Sequence, residues 1–89
     1  MNNLSIVAEF LGTFLLILSI LVTGNAFVIG ASLAVIILLI GGVSGAHVNP
    51  AVSLAMWLKG GLSMNEYLLY VSAQMAGGAS ALYAYKALA

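Results

Sequence analysis

The sequence predicts an all-α membrane protein with three transmembrane helices and one re-entrant half-helix, built as a single domain over residues 1–89. Three observations predict this class. Apolar residues make up 64% of the chain, against two basic and two acidic side chains. A soluble domain of this size could neither bury that much apolar surface nor stay dissolved with so little charge. In addition, long apolar runs alternate with short turns, and one central stretch combines Gly, His, Asn and Pro.

The first two apolar runs are each long enough to cross a membrane. A spanning helix needs about 20 residues at a rise of about 1.5 Å per residue. Residues 4–22 form the first candidate and contain a single charged side chain, Glu9. The letters "TGN" at residues 23–25 predict a turn, and residues 26–43 predict a second span that crosses back.

A third span is predicted over residues 66–85. Ahead of it, "SMNE" at residues 63–66 has the Ser and Glu spacing of a capping box, in which each side chain bonds the backbone N–H of the other residue. Tyr83, Tyr85 and Lys86 are expected to anchor the far end of this span at the membrane interface. The predicted protein is therefore an integral, multi-pass membrane protein.

Between the second and third spans, the sequence predicts a helix of about half the usual length. Residues 50–58 form a helix of nine residues, roughly 14 Å long. Asn49 is a favoured N-cap residue, and Pro50 suits the first helical position because an N–H there would be unpaired anyway. Lys59 lies near the helix end, where the helix dipole favours a cation. The helical spacing predicts a buried apolar face made of Ala51, Leu54, Ala55 and Leu58.

The letters "SGAH" at residues 44–47 predict irregular backbone immediately before this short helix. Unpaired carbonyl oxygens in hydrocarbon cost several kcal/mol each, so such backbone is tolerated at membrane depth only inside protein or along a water-filled cavity. A half-length helix entered through exposed carbonyl groups therefore indicates a re-entrant segment that lines a pore.

The stretch "SGAHVNPAVSL" at residues 44–54 resembles the first re-entrant loop of the aquaporin and aquaglyceroporin family, also called the major intrinsic protein family. "AEFLGTF" at residues 8–14 is similar to that family's first helix, and "YVSAQMAGGASA" at residues 70–81 is similar to its third. Family members carry two such halves in inverted orientation, each with its own "NPA" helix. The resemblance implies one half-repeat, completed by an inverted second copy, that forms a channel for passive permeation of water and small neutral solutes.

The resemblance also implies which groups face the solute. The pore motif at the start of the short helix consists of Asn49, Pro50 and Ala51. Cations and protons are expected to be excluded there, where the N-termini of two paired half-helices meet. A ladder of hydrogen-bond acceptors is expected from the backbone carbonyl groups of Gly45, Ala46 and His47. For His47, a packed and hydrogen-bonded histidine is the alternative to a pore-lining role.

The expected selectivity filter is where the sequence departs from the family pattern. The family carries an Arg directly after its second "NPA", and the equivalent position here is Val52. The filter positions matched by their offset from the motif are all apolar: Ile29, Ile37, Ala46 and Val52. Such a lining cannot select solutes by charge. Glu9 is an ionisable residue inside a span, where a charge is costly and usually partnered. The resemblance implies that it braces the re-entrant loop through backbone N–H groups, and direct contact with the solute is the alternative.

The charge distribution permits inverted pairing. Lys59 is expected on the same side of the membrane as the start of the chain and Lys86 on the opposite side, which gives almost no bias under the positive-inside rule. Both orientations of the same chain are therefore allowed. By family analogy, eight chains would surround four pores. The expected environment is the lipid bilayer, with no nucleic-acid partner, no metal site and no cofactor.

Three alternatives are compatible with the sequence. The channel could pass glycerol or ammonia, or the chain could be half of a hetero-pair whose partner supplies the Arg. A third alternative is a non-conducting membrane scaffold or lesion-forming protein. An enzyme is not expected, because a chain with no Asp, no Cys, one His and two Glu lacks the groups for a catalytic constellation.

Overall fold

The computed structural model describes residues 3–89 as four α-helices joined by two short turns and one irregular loop. In chain order the helices are α1 (Asn3–Thr23), α2 (Ala26–Ser44), α3 (Pro50–Lys59) and α4 (Met64–Leu88). The predicted all-α fold is confirmed, and residues 3–89 contain no strand. All four predicted helices are present, and α4 extends beyond its predicted range at both ends.

Side-chain caps determine where α2, α3 and α4 begin. Asn25 starts α2, because its side-chain oxygen accepts hydrogen bonds from the N–H groups of Phe27 and Val28. Ser63 and Glu66 form the predicted capping box at the start of α4. Each cap satisfies backbone N–H groups that the first turn of a helix leaves without a partner.

α1 is the central helix, and glycines allow its neighbours to approach closely. A Cβ added at Gly77 of α4 would lie 2.5 Å from the backbone oxygen of Phe10 on α1. A Cβ added at Gly12 of α1 would lie 2.7 Å from side-chain atoms of both Ile40 and Val48. These distances are shorter than real carbon contacts. A side chain at Gly77 would therefore clash with backbone, whereas one at Gly12 would require the Ile40 and Val48 side chains to shift. Small residues where helices cross are typical of membrane proteins.

α3 packs against α4 through a polar face rather than an apolar one. Ser53 is fully buried, whereas the four apolar residues of the predicted buried face are all exposed, Leu58 to 72%. The prediction that this apolar face is buried is therefore wrong for the single chain. The physical reason is that Gln74 of α4 donates a hydrogen bond to the Ser53 hydroxyl, and a polar group is buried where it finds such a partner.

The polarity of the fold is inverted relative to a soluble domain. The largest fully buried side chains are the polar residues Glu9, Ser53 and Gln74. In contrast, large apolar side chains lie on the outside, among them Phe27 at 88% and Leu38 at 84% exposure. An exposed apolar surface of this extent indicates contact with lipid or with other apolar protein surfaces.

Two helices, α1 and α2, are long and apolar enough to cross a membrane. They correspond to the first two predicted spans. α4 has 25 residues, which is sufficient length, but its Gly, Ser, Gln and Tyr residues make it less apolar than α1 and α2. The third crossing and the re-entrant course of α3 stay predictions.

Candidate functional site

Residues 45–49 connect α2 to α3 through backbone conformations that most side chains disfavour. Gly45 ends α2 with a φ of 89°, in the left-handed region where glycine has no Cβ to clash. Ala46 and Val48 also have positive φ angles, 49° and 44°. For residues other than glycine, such conformations cost of order 1–3 kcal/mol each, so the surroundings must hold the loop in place.

The carboxylate of Glu9 on α1 contacts the loop and accepts four hydrogen bonds. It accepts hydrogen bonds from the backbone N–H groups of His47 at 3.0 Å and Val48 at 2.8 Å. It also accepts from the Ser44 hydroxyl at 2.6 Å and from Gln74 Nε2 at 2.8 Å. Four donors match the about four lone-pair sites of an ionised carboxylate. Because Glu9 is fully buried, these bonds are shielded from competing water.

The start of the loop is also held from α4. The Tyr70 hydroxyl donates to the carbonyl oxygen of Ser44 at 2.7 Å, and the Ser44 hydroxyl accepts from the N–H of Ala46 at 3.2 Å. The ring centroids of Tyr70 and His47 are 5.0 Å apart. The loop therefore contacts both α1 and α4, which explains how its unfavourable backbone angles are maintained.

The three carbonyl groups expected to form the acceptor ladder lie in the loop between α2 and α3. Within residues 3–89, no donor bonds the carbonyl oxygens of Gly45, Ala46 or His47. Backbone acceptors in folded proteins are nearly always paired with protein or with water. These oxygens therefore keep their capacity to accept hydrogen bonds.

Asn49 caps the start of α3 with its side-chain oxygen, which accepts from the Ala51 N–H at 2.8 Å. Pro50 occupies the first helical position, where no N–H is needed. Asn49 is exposed, and its side-chain oxygen accepts from its own helix. The rest of the amide is the NH₂ group, which can donate two hydrogen bonds and cannot accept any. The N-terminus of α3 thus presents hydrogen-bond donors together with the positive end of the helix dipole.

An open groove of about 530 Å³, here called the α1–α4 groove, lies beside this helix end. Its apolar wall from α1 includes Leu16, Ile17 and Ile20, while α4 contributes the small residues Gly78 and Ala79, and α3 begins in the groove at Asn49 and Pro50. Two further lining residues, Thr13 and Gln74, each have a buried side-chain oxygen without a hydrogen-bond partner among residues 3–89.

The four expected filter residues do not line the α1–α4 groove. Ile37 is 47% exposed, Ile29 and Val52 are half-buried, and Ala46 is buried. In the single chain they lie on α2, in the loop and on α3. Residues 3–89 also contain no group of His, Cys, Asp or Glu side chains that could hold a metal ion.

Sequence reasoning does not find three polar residues of the site: Ser44, Ser53 and Tyr70. All three lie in the stretches that carry the family resemblance, but nothing in those stretches indicates which groups their hydroxyls bond. The one available signal is the four-residue spacing from Asn49 to Ser53, which places both residues on the same side of a helix. That spacing could have indicated that the Ser53 hydroxyl lies near the loop.

The apolar exterior and the two helices long and apolar enough to cross a membrane are typical of an integral membrane protein. The chain matches the Major intrinsic protein family over residues 2–88, and it belongs to that family. Members of this family are membrane channels for water and small solutes, not enzymes. The family resemblance predicted from the sequence is confirmed.

Several curated relatives are similar to this chain. The glycerol uptake facilitator protein of Pseudomonas aeruginosa is 42% identical over 84 residues, covering 79% of this chain and 30% of that protein. Aquaglyceroporin AqpS of Rhizobium meliloti is 39% identical over 87 residues, covering 80% and 37%. The lens fiber major intrinsic protein of Gallus gallus is 38% identical over 94 residues, covering 89% and 36%. The chain thus spans about a third of the length of these relatives. No solved structure matches it significantly.

Proposed function

We propose that this chain is half of a membrane channel for passive permeation of water and small neutral solutes, and that a second copy in inverted orientation completes the pore. The observation that carries the proposal is the exposed N-terminus of α3 beside the α1–α4 groove. Unpaired donors at membrane depth require a polar partner or a water-filled path next to them. Membership of a channel family supports the same class of function.

In the proposed arrangement, α1, α2 and α4 cross the bilayer, whereas α3 enters it and stops near the middle. α3 has 10 residues, roughly 15 Å at the standard helical rise. Two such helices meeting end to end would span about 30 Å, the thickness of the hydrocarbon core. One chain supplies one of the two, and the partner's α3 would continue along the α1–α4 groove.

The exposed apolar surfaces of the single chain support a second protein chain as the partner. The apolar face of α3 is uncovered, and several large side chains of α2 are exposed, including Val35 at 53% and Leu39 at 69%. Lipid can cover the outward-facing part of this surface. Three helices cannot enclose a pore, however, so the proposal assigns the remainder to contact with the inverted copy.

Cations and protons would be excluded where the two helix N-termini meet. Each N-terminus carries roughly half a positive charge. A cation about 5 Å from both, at an effective dielectric constant near 20, is repelled by roughly 3 kcal/mol, which is about a hundredfold exclusion. The Asn49 amides of the two chains would donate to the oxygen of a central water. Its hydrogens would then point outward, which interrupts a continuous proton-transfer chain.

Water is the first expected solute. The proposed path combines the carbonyl acceptors of Gly45, Ala46 and His47 with apolar filter positions at Ile29, Ile37, Ala46 and Val52. Without an Arg the filter selects by size and polarity rather than by charge. Relatives named for glycerol uptake favour glycerol-like polyols as the second candidate, with ammonia as a further neutral solute.

The direct test is reconstitution of the purified chain in lipid vesicles, with shrinkage followed by light scattering in sucrose and in glycerol gradients. Water permeability well above that of empty vesicles is expected, and re-swelling in glycerol would identify a polyol channel. Vesicles with the purified chain that are no more permeable than empty ones would contradict a channel made from this chain alone. A hetero-pair with an Arg-bearing partner would then become the better explanation.

Orientation tests the inverted pair separately. With Lys59 and Lys86 predicted on opposite sides, reporter domains fused to the two chain ends should each be found on both sides of the membrane. Insertion in one direction only would contradict the inverted homodimer.

The mass of the complex in detergent tests the family analogy, which predicts eight chains around four pores.

A further inference from the structure

A connected row of polar side chains runs from α1 through α4 and α3 to the loop. Gln74 Nε2 donates to Glu9 Oε1 at 2.8 Å and to Ser53 Oγ at 2.9 Å. Ser53 Oγ in turn lies 2.8 Å from Nδ1 of His47. Glu9, Ser53 and Gln74 are fully buried, and the His47 ring is half-buried. The contact between Ser53 and His47 involves a ring nitrogen rather than a backbone group of the loop.

The direction of these hydrogen bonds follows from the carboxylate at one end. An ionised carboxylate only accepts, so Gln74 must turn its NH₂ group toward Glu9. The two N–H bonds of that group are then used by Glu9 and by the Ser53 oxygen. Ser53 is therefore an acceptor for Gln74 and keeps its own hydroxyl proton to donate elsewhere.

That proton has one acceptor within reach in the described part of the chain, Nδ1 of His47. Ser32 and Ser72, by contrast, each donate to the carbonyl oxygen four residues earlier, at 2.8 Å and 2.7 Å. Within residues 3–89 the Ser53 hydroxyl makes no such bond, because it is turned toward Gln74 and the loop.

We propose that Gln74 and Ser53 are positioning residues that hold the His47 ring with a bare Nδ1 and a proton on Nε2. If Nδ1 carried the proton, Ser53 would accept two N–H bonds and its own buried proton would have no acceptor. The Nε2 edge of the ring lies beside Gly45, where an added Cβ would be 3.2 Å from Nε2. His47 thus presents a fixed N–H donor close in sequence to the donor amide of Asn49.

The ligand chemistry that suits this donor is an uncharged oxygen acceptor, as in water or a hydroxyl-bearing solute. That consequence rests on the proposed channel function, whereas the tautomer itself does not. Because Nδ1 already accepts a hydrogen bond from Ser53, the ring nitrogen that remains is Nε2, which acts as a donor. His47 and Asn49 would then both donate hydrogen bonds to a solute oxygen.

Nuclear magnetic resonance of the ring nitrogens tests the tautomer directly. His47 is the single histidine in the sequence, so labelling histidine with ¹⁵N gives the two ring nitrogens of one residue. In the reconstituted protein near neutral pH, a protonated Nε2 and a bare Nδ1 are expected. A proton on Nδ1, protonation of both nitrogens, or exchange between tautomers would overturn the proposal. This measurement uses the unaltered chain, so it does not depend on whether a variant folds.

Substitutions then test the roles of the two positioning residues. Ser53→Ala removes the hydroxyl and should give a mixture of tautomers, whereas Ser53→Thr keeps it and should preserve the proton on Nε2. Gln74→Met should act in the same direction as Ser53→Ala. The control is Ser72→Ala on the exposed side of α4, which should leave both resonances unchanged. A Ser53→Ala spectrum identical to that of the unaltered chain would overturn the assignment of Ser53.

Vesicle permeability measured on the same samples separates this inference from the proposed function. An impermeable protein with the proton fixed on Nε2 contradicts a channel made from this chain alone and supports the tautomer. A permeable protein with mixed tautomers supports the channel and overturns the positioning role of Ser53 and Gln74.

Discussion

The substitution Glu9→Gln removes one charge at the residue that contacts the loop and leaves the side-chain shape unchanged. The carboxylate accepts four hydrogen bonds. An amide offers one oxygen and one NH₂ group, so it can accept only two of them. The least costly orientation turns the NH₂ toward Ser44, whose hydroxyl can rotate and accept. The N–H of His47 is then left without an acceptor.

The expected cost follows from these four bonds. A buried N–H without a partner costs about 1–3 kcal/mol, and each remaining bond to a neutral acceptor is weaker than one to a charge by about 1 kcal/mol. Removing a buried charge acts in the opposite direction, because a neutral amide is less costly to desolvate. The donors stay in place, however, so the unpaired groups outweigh that gain. We expect Glu9→Gln to lower the free energy of unfolding by about 2–4 kcal/mol.

The assay is a reversible unfolding titration in mixed detergent micelles, followed by circular dichroism. The matched control is Glu66→Gln, because Gln also serves at this position of a capping box and should change stability by less than about 0.5 kcal/mol. If Glu9→Gln stays within about 1 kcal/mol of this control, the carboxylate does not support the loop and the reasoning from its four donors is wrong.

Three further predictions concern single positions in the fold and the loop. In unfolding titrations, Gly77→Ala should destabilise the protein by about 1–3 kcal/mol, because the added Cβ meets a backbone oxygen at 2.5 Å. The control is Gly78→Ala, whose added Cβ has its nearest contact at 3.7 Å. It should be neutral or stabilising by up to about 1 kcal/mol. Gly45→Ala should cost about 1–2 kcal/mol in the same titration because of its φ of 89°, with Gly42→Ala, which meets open space within α2, as the control. Asn49→Asp keeps the N-cap but replaces the amide donors with a carboxylate, and cation conductance across planar bilayers should rise.

Each of these predictions has a contradicting outcome. Equal stabilities for Gly77→Ala and Gly78→Ala would contradict the close approach of α1 and α4. A Gly45→Ala chain as stable as Gly42→Ala would mean that the left-handed turn is not required. Unchanged cation exclusion in Asn49→Asp would show that the amide donors do not contribute to it.

Local features of the fold and site could be predicted from the sequence because they depend on neighbouring residues. The four helices, the N-cap at Asn49 and the capping box at Ser63 and Glu66 each involve groups within a few positions along the chain. The sequence could not indicate which face of α3 is buried. The apolar spacing predicted that the apolar face of α3 is buried. The polar face is buried instead, because Ser53 accepts a hydrogen bond from Gln74, 21 positions away.

The sequence by itself determined an apolar, helical chain with a short helix entered through irregular backbone, and it carried enough of the motif to indicate the family. Only the tertiary structure decided which buried groups pair. It brought Glu9 together with two loop N–H groups 38 and 39 positions later, and it set Ser53 beside His47. The physical reason is that helix formation and capping are local, whereas a buried polar group is satisfied by whatever partner the packing of helices brings to it.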